Sequence, residues 1–169
     1  WIGMAILFGQ ANGEAHERHT SQIALTACGA SFAAALVLVV ARFAGPLPEQ
    51  VVLSRWLTSG EFQVDLNFVI DDLSLALLVL ASLACLLVAR FSVNYLHREP
   101  GFHRFFLVLS LFAAAMTLLV IGGNAVLTFV GWEVAGLCSY LLIAFFQDRP
   151  VAAGNATRVF VTNRVGDAG

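Results

Sequence analysis

Glu133 is the side chain of this 169-residue sequence best placed to do chemistry. It is the one charge in the apolar run from Phe105 to Gln147. It follows Asn124 by nine residues, which puts it about 14 Å along a helix, near the middle of a ~30 Å hydrocarbon core. A carboxylate at that depth must be protonated, paired or hydrated, because a bare charge there is expensive. Two readings follow: a proton-relay or ion-path group facing the interior of a helix bundle, or one half of a structural buried pair whose partner comes from another helix or chain. Arg164 and Asp167 are three residues apart, so they share one helix face and can pair along it. They read as an ion-path pair able to exchange partners with Glu133 as protons move, or as a static salt bridge that makes burial of Arg164 tolerable. Around Glu133, the small residues Gly131, Ala135, Gly136, Cys138 and Ser139 let a neighbouring backbone approach or leave room for water. Trp132, Ser139 and Tyr140 can hydrogen-bond in a polar path, with Tyr140 expected on the opposite side of the helix from Trp132.

The remaining reactive types point elsewhere. His97 and His103 bracket Arg98-Glu99-Pro100-Gly101, a short turn in which they read as interfacial loop residues able to exchange protons. His16 and His19 sit in Glu14-Ala-His-Glu-Arg-His19, read as a solvated loop. Cys28, Cys85 and Cys138 each fall in an apolar run and read as small hydrophobes. No metal-ligating cluster, nucleotide-binding glycine motif or iron–sulfur ligand set is present, so any redox or nucleotide chemistry is expected in a partner.

The elements that must position these groups are written in long apolar runs. Ile23 to Ala41 carries no charge and makes one membrane span, ended by Gly45-Pro-Leu-Pro48. Trp1 to Gly9 reads as the end of a preceding span, with Gln10 to Ser21 as a loop. After Asp71-Asp72, where either carboxylate can cap free backbone N–H groups, a span opens at Leu73 and continues to about Leu96. The run from Phe105 to Gln147 is too long for one crossing and must fold back at Gly122-Gly123-Asn124, giving helices near 103–121 and 125–146. Pro150 opens a sixth helix, cut short at Gly169. Between the second and third spans, Phe62-Gln-Val-Asp-Leu-Asn-Phe68 alternates apolar and polar residues and predicts a small hairpin.

The 47–72 loop carries Glu49, Glu61, Asp65, Asp71 and Asp72 against Arg55, whereas the opposite loops carry Arg18, Arg98, Arg104, Arg149 and Arg158. The positive-inside rule therefore places the Arg-bearing loops in the cytoplasm, with the hairpin and the Gly122 turn outside. The composition agrees: 59% of residues are hydrophobic and 12% charged, with nine basic residues and eleven acidic ones. A large water-soluble core is excluded, and with no Lys and no basic cluster so is a nucleic-acid surface. The fold class expected is an all-α polytopic membrane protein, with five to six transmembrane helices of a larger bundle and a small extracytoplasmic β-hairpin. Residues 1–72 form the N-terminal helices and hairpin, and residues 73–169 open the channel domain. The abrupt ends lead us to expect a fragment of a longer protein.

Phe129-Val-Gly-Trp-Glu-Val-Ala-Gly-Leu-Cys-Ser-Tyr-Leu-Leu-Ile143, followed by Val161-Thr-Asn-Arg-Val-Gly-Asp167, resembles the antiporter-like large membrane subunit of respiratory complex I, the NuoL/ND5 family. Phe68-Val-Ile-Asp-Asp-Leu-Ser74 and Tyr95-Leu-His-Arg-Glu-Pro-Gly-Phe-His-Arg-Phe-Phe106 are similar to it as well. The likeness runs from about residue 60 to 169; in the first 50 residues only the hydrophobic layout agrees. The resemblance implies that Glu133 is a key proton-channel residue working against a Lys on a broken seventh helix. Arg164 and Asp167 fall on the Arg and Asp beside that channel. Since this chain has no Lys, that partner is expected beyond Gly169, in a core of inverted helical repeats.

The function implied is proton translocation by a membrane-arm subunit of NADH:quinone oxidoreductase, with FMN, iron–sulfur clusters and quinone held by partner subunits and none in this chain. Its partners would be the other membrane-arm subunits and the lipid bilayer of a bacterial inner membrane, rather than a mitochondrial one. The alternatives are a Mrp-type cation/proton antiporter or inorganic-carbon transporter subunit uncoupled from NADH, and a structural membrane fragment with no transport activity.

Overall fold

A computed structural model describes residues 14–45, 48–59, 62–99, 101–146 and 148–168. The elements run α1 (Glu14–Ala44), β1 (Gln50–Ser59), β2 (Phe62–Val69), α2 (Asp72–Tyr95), α3 (Phe102–Ile121), α4 (Ala125–Ile143) and α5 (Pro150–Ala168). The expected first span, Trp1 to Gly9, lies outside the described residues. Among those described, four helices are long and apolar enough to cross a membrane: Glu17–Ala44 of α1, and α2, α3 and α4. α5 is a helix of 19 residues whose Asn155, Arg158, Asn163, Arg164 and Asp167 keep it below that apolarity.

One boundary differs from the sequence reading. Residues 14–21, expected in a loop, are helical. Nothing after Gly13 breaks a helix, and the added turns have partners: Thr20 Oγ lies 2.7 Å from His103 Nδ1, and Glu17 Oε2 lies 3.1 Å from His97 Nδ1. His19 therefore stands on a helix, exposed to solvent. With 31 residues, α1 is about 46 Å long and exceeds the ~30 Å hydrocarbon core.

At this end of the bundle α1, α2, α3 and the α4–α5 turn converge. Their buried cluster includes Ala24, Cys28, Ala89, Leu96, Phe102, Phe106 and Phe145. The three cysteines are buried and free. Gly101 takes φ +94° at the start of α3, a conformation that costs glycine little and other residues more. Arg104 donates to the Phe145 carbonyl across 3.1 Å, so the α2–α3 and α4–α5 turns are tied together.

The opposite end holds the hairpin. β1 and β2 pair antiparallel, with register shifts between Val52 and Ser54 and between Arg55 and Leu57. Asp71 is the residue that caps α2: its carboxylate accepts from the Ser74 N–H at 2.7 Å while its own N–H donates to Ser74 Oγ at 2.9 Å. The Ser74 N–H first, and the Ser74 hydroxyl beside it, hold the Asp71 carboxyl below the usual aspartate range, because donors at the carboxylate favour its charged form. Asp72 is left free to pair with Arg42 at the far end of α1, at 2.9 Å.

β2 is clasped to the α3–α4 turn. Gly123 N–H donates to the Asn67 carbonyl at 2.9 Å and the Asn67 amide returns a bond to the Gly123 carbonyl at 3.0 Å. Asn124 donates to the Asp65 carbonyl and to Asn67 Oδ1, both at 2.7 Å, while its own Oδ1 caps α4 by accepting from the Leu127 N–H at 2.9 Å. The hairpin and the Gly122 turn thus share one end of the bundle, and the Arg- and His-bearing turns share the other. This is the pairing of loops that charge distribution requires.

Candidate proton-path site

α4 positions Glu133. The Asn124 cap fixes where the helix begins, and ~1.5 Å per residue carries Glu133 to mid-helix. α3 packs so closely on α4 that a Cβ at Gly131 would lie 2.6 Å from the Leu119 backbone nitrogen. Glycine is therefore required there for contact between the two backbones. α5 returns antiparallel along α4, and Ala156 is buried in it.

This return brings the three predicted charges together. Arg164 Nη1 is in direct contact with Glu133 Oε2, and lies 3.5 Å from Asp167 Oδ2. The side chains are 32% exposed for Glu133, 27% for Arg164 and 18% for Asp167, covered enough to feel one another. With both acids ionised the group carries one net negative charge, so it becomes neutral on taking up one proton or facing one further cation. Arg164 Nε is buried with no hydrogen-bond partner among the described residues. The guanidinium is thus held at its Nη1 end and unsatisfied along its stem, and has more donors than this arrangement uses.

Three neighbours shape the cluster: Trp132 and Gly136, which the sequence reading placed around Glu133, and Phe160, to which it gave no part in the site. The Trp132 indole N–H donates to Asp167 Oδ1 at 2.9 Å. The Phe160 ring centroid lies 5.1 Å from the Arg164 guanidinium carbon, within cation–π range. Gly136 supplies the space for the guanidinium, since a Cβ there would lie 2.6 Å from Arg164 Nη2. The spacing held the signal in two cases. Gly136 is three residues past Glu133 and Phe160 four before Arg164, each on the face of its charged neighbour.

Tyr140 departs from its expected placement. It does not face away from α5, because its ring lies 5.2 Å from that of Phe160, and α5 covers an arc of α4 wide enough to meet both Trp132 and Tyr140. A cleft of about 600 Å³ opens beside the charges, bounded by α3, α4 and α5 and lined among others by Met116, Trp132, Ser139, Asn163, Arg164 and Asp167. Among the described residues no group of three or more His, Cys, Asp or Glu is placed to hold a metal ion.

Two family models match this chain. Residues 56–106 match that of the N-terminus of NADH-ubiquinone oxidoreductase (complex I) chain 5. Residues 122–169, which contain the whole cluster, match that of the NADH:quinone oxidoreductase/Mrp antiporter transmembrane region. The chain belongs to the NuoL/ND5 family of complex I membrane subunits. It is 45% identical over 115 residues to NAD(P)H-quinone oxidoreductase chain 5 of Synechocystis sp., which covers 68% of this chain and 17% of the relative. It is 48% identical over 114 residues to NADH-quinone oxidoreductase subunit L of Mycobacterium tuberculosis, covering 68% and 18%. A longer match, to the chloroplastic NAD(P)H-quinone oxidoreductase subunit 5 of Nephroselmis olivacea, is 35% identical over 147 residues and covers 87% and 22%. This member of the NuoL/ND5 family thus spans about a fifth of the length of the curated relatives it matches. Together with its four apolar helices, the match makes the chain an integral membrane protein.

Proposed function

We propose that this chain is the part of a proton-translocating membrane-arm subunit of NADH:quinone oxidoreductase that carries Glu133 as a proton-relay group, with Arg164 and Asp167 as its ionic partners. The observation that carries the reading is the direct ion pair between Glu133, at the middle of a membrane-spanning helix, and Arg164 of the returning helix. A carboxylate at that depth, beside a cation that can be shared with a second acid, has both a charged and a neutral state within reach. In this reading Glu133 takes up and releases the proton, Arg164 stabilises the charged form, and Asp167 receives Arg164 when Glu133 is neutral. Residues 73–169 open the channel domain; residues 1–72 supply the preceding helix and the hairpin clasped to its turn.

The reduction chemistry belongs to partner subunits, where FMN, iron–sulfur clusters and quinone would reside. The membrane would be the inner membrane of a bacterium and the neighbours the other membrane-arm subunits. The match at residues 56–106 to complex I chain 5, and the names of the relatives, favour this over a Mrp-type antiporter, an inorganic-carbon transporter subunit or an inert structural fragment.

The test is Glu133→Gln in the complete complex, which keeps shape and hydrogen bonding but removes titration. Proton pumping per NADH oxidised, measured in reconstituted vesicles and normalised to assembled complex, should fall sharply, and Glu133→Asp should retain part of it. Wild-type pumping in the Gln variant ends the relay reading in favour of a structural pair.

A further inference from the structure

Resting on that reading, we infer that Trp132 is a positioning residue for proton transfer: its indole N–H holds Asp167 where it competes with Glu133 for the single guanidinium of Arg164. The carboxylate of Asp167 is divided between two donors. Oδ1 accepts the indole N–H at 2.9 Å, and Oδ2 faces Arg164 Nη1 at 3.5 Å, just beyond hydrogen-bond range. Glu133 holds the closer contact with the same Nη1. The geometry is that of an occupied acceptor and a waiting one on either side of one cation.

Asp167 lies three residues past Arg164 on the same face of α5 and lines the cleft beside the cluster. The indole is its fixed point. Trp132 immediately precedes Glu133, so donor and relay group ride on one rigid helix and the distance between the two acceptors is set by α4. Gly136 keeps the path between them open, because any Cβ there would meet Nη2.

The charge changes balance without further reactants. With Glu133 ionised, Arg164 is drawn to it and Asp167 keeps its indole bond. When Glu133 gains a proton its pull on Arg164 falls to that of a neutral acceptor. Arg164 then closes the 3.5 Å gap to Asp167, and the cluster goes from one net negative charge to neutral. Loss of the proton reverses the move. The indole bond is thus weakened whenever Arg164 draws on the same carboxylate, making Trp132 a reporter as well as a clamp.

Two measurements on the complete complex test this. Trp132→Phe removes the N–H donor together with the pyrrole half of the indole and keeps an aromatic ring at the position. A hydrogen bond to a charged group corresponds to about tenfold in rate, so pumping per assembled complex should fall by about that factor. The same change made on an Asp167→Ala background should have no further effect, whereas a structural role for the indole would add in full. The second measurement needs no change at Trp132. The ultraviolet resonance Raman signature of indole N–H hydrogen bonding should weaken in Asp167→Ala and move in Glu133→Gln, where Arg164 is free to turn to Asp167. An inactive Glu133→Gln beside an unaffected Trp132→Phe, or an indole signature unmoved in both acid variants, overturns the inference alone. Wild-type pumping in Glu133→Gln overturns the relay reading and this inference with it.

Discussion

The two ends of the polar wiring along α4 solve opposite problems. At its start, Asn67, Gly123 and Asn124 are joined by neutral amides and backbone groups at 2.7–3.0 Å. The Asn124 side chain alone makes three bonds, two as donor and one as acceptor, to the hairpin and to its own helix. Such a clasp has one low-energy arrangement, because moving any member leaves a half-buried amide unpaired. Nine residues on, Glu133, Arg164 and Asp167 are held by charge, with two acceptors for one cation and an Nε that has no partner among the described residues. That arrangement has neighbours close in energy. The hairpin and turn thus fix where α4 begins, and the freedom the cluster offers near Glu133 lies in which acid the arginine faces.

Removing the cation has the largest expected effect. Arg164→Leu leaves two carboxylates facing each other, and loss of one partner of a covered ion pair costs about 3 kcal/mol. Adding Glu133→Gln to Arg164→Leu should return part of that stability, since the stray charge is gone. Asn124→Ala deletes the α4 cap and both bonds to the hairpin, costing about 2 kcal/mol. It should leave pumping per assembled complex unchanged, because no charge is moved. Thermal unfolding of the purified subunit, set beside pumping in vesicles, distinguishes the two. Equal pumping defects in Arg164→Leu and Asn124→Ala would erase the distinction between frame and moving part.

Two glycines on α4 sharpen the same contrast. A Cβ at Gly131 would meet Leu119 and Ala115 backbone atoms, which cannot move without separating two helices, so Gly131→Ala should cost about 1–3 kcal/mol of stability. A Cβ at Gly136 would meet only the far end of the Arg164 side chain, which can swing aside. Gly136→Ala should therefore fold nearly as well as wild type yet lose pumping, because the displaced guanidinium no longer sits between Glu133 and Asp167. A Gly136→Ala complex that pumps normally would show that the space serves packing alone.

How far each region was legible in the sequence follows from the range of the interactions. The Asp71 cap, the Gly122-Gly123-Asn124 turn and the 62–68 alternation are local patterns with local causes, and each lies where the sequence puts it. The meeting of Glu133 with Arg164 was legible for a different reason: a lone charge in an apolar run must find a partner, and few were on offer. The helical state of residues 14–21 was not legible, since their polarity fits a loop equally well and the deciding partners, His97 and His103, lie some 80 residues away. Nor was the Trp132–Asp167 bond. An indole is tolerated with or without an acceptor, so nothing in the sequence demands one. Tyr140 was misplaced by the angle assumed for it: eight residues at about 100° each leave it about 80° from Trp132 around α4, on the side that α5 covers.

The smallest expected effect separates a titratable cap from a titratable relay. Asp71 caps α2 outside the membrane-spanning run and is held in its charged form by the Ser74 N–H and hydroxyl. Its carboxyl lies lower in the folded chain than the ordinary aspartate value of about 3.9, so the sign follows directly. The cap contributes its full share above that ordinary value. The share begins to fade as pH falls past it, and is gone once pH has dropped through the lowered folded value, where both states are protonated. Asp71→Asn keeps an acceptor for the Ser74 N–H, since Asn caps about as well as Asp, but removes the titration. Wild type and Asp71→Asn should therefore unfold alike near neutral pH. Wild type should lose its charge-derived share below about pH 4 while the variant does not, and pumping by the assembled complex near neutrality should be the same in both. A loss of pumping in Asp71→Asn at neutral pH would mean that charge at the hairpin end reaches Glu133, and the separation of a fixed frame from a mobile cluster would have to be given up.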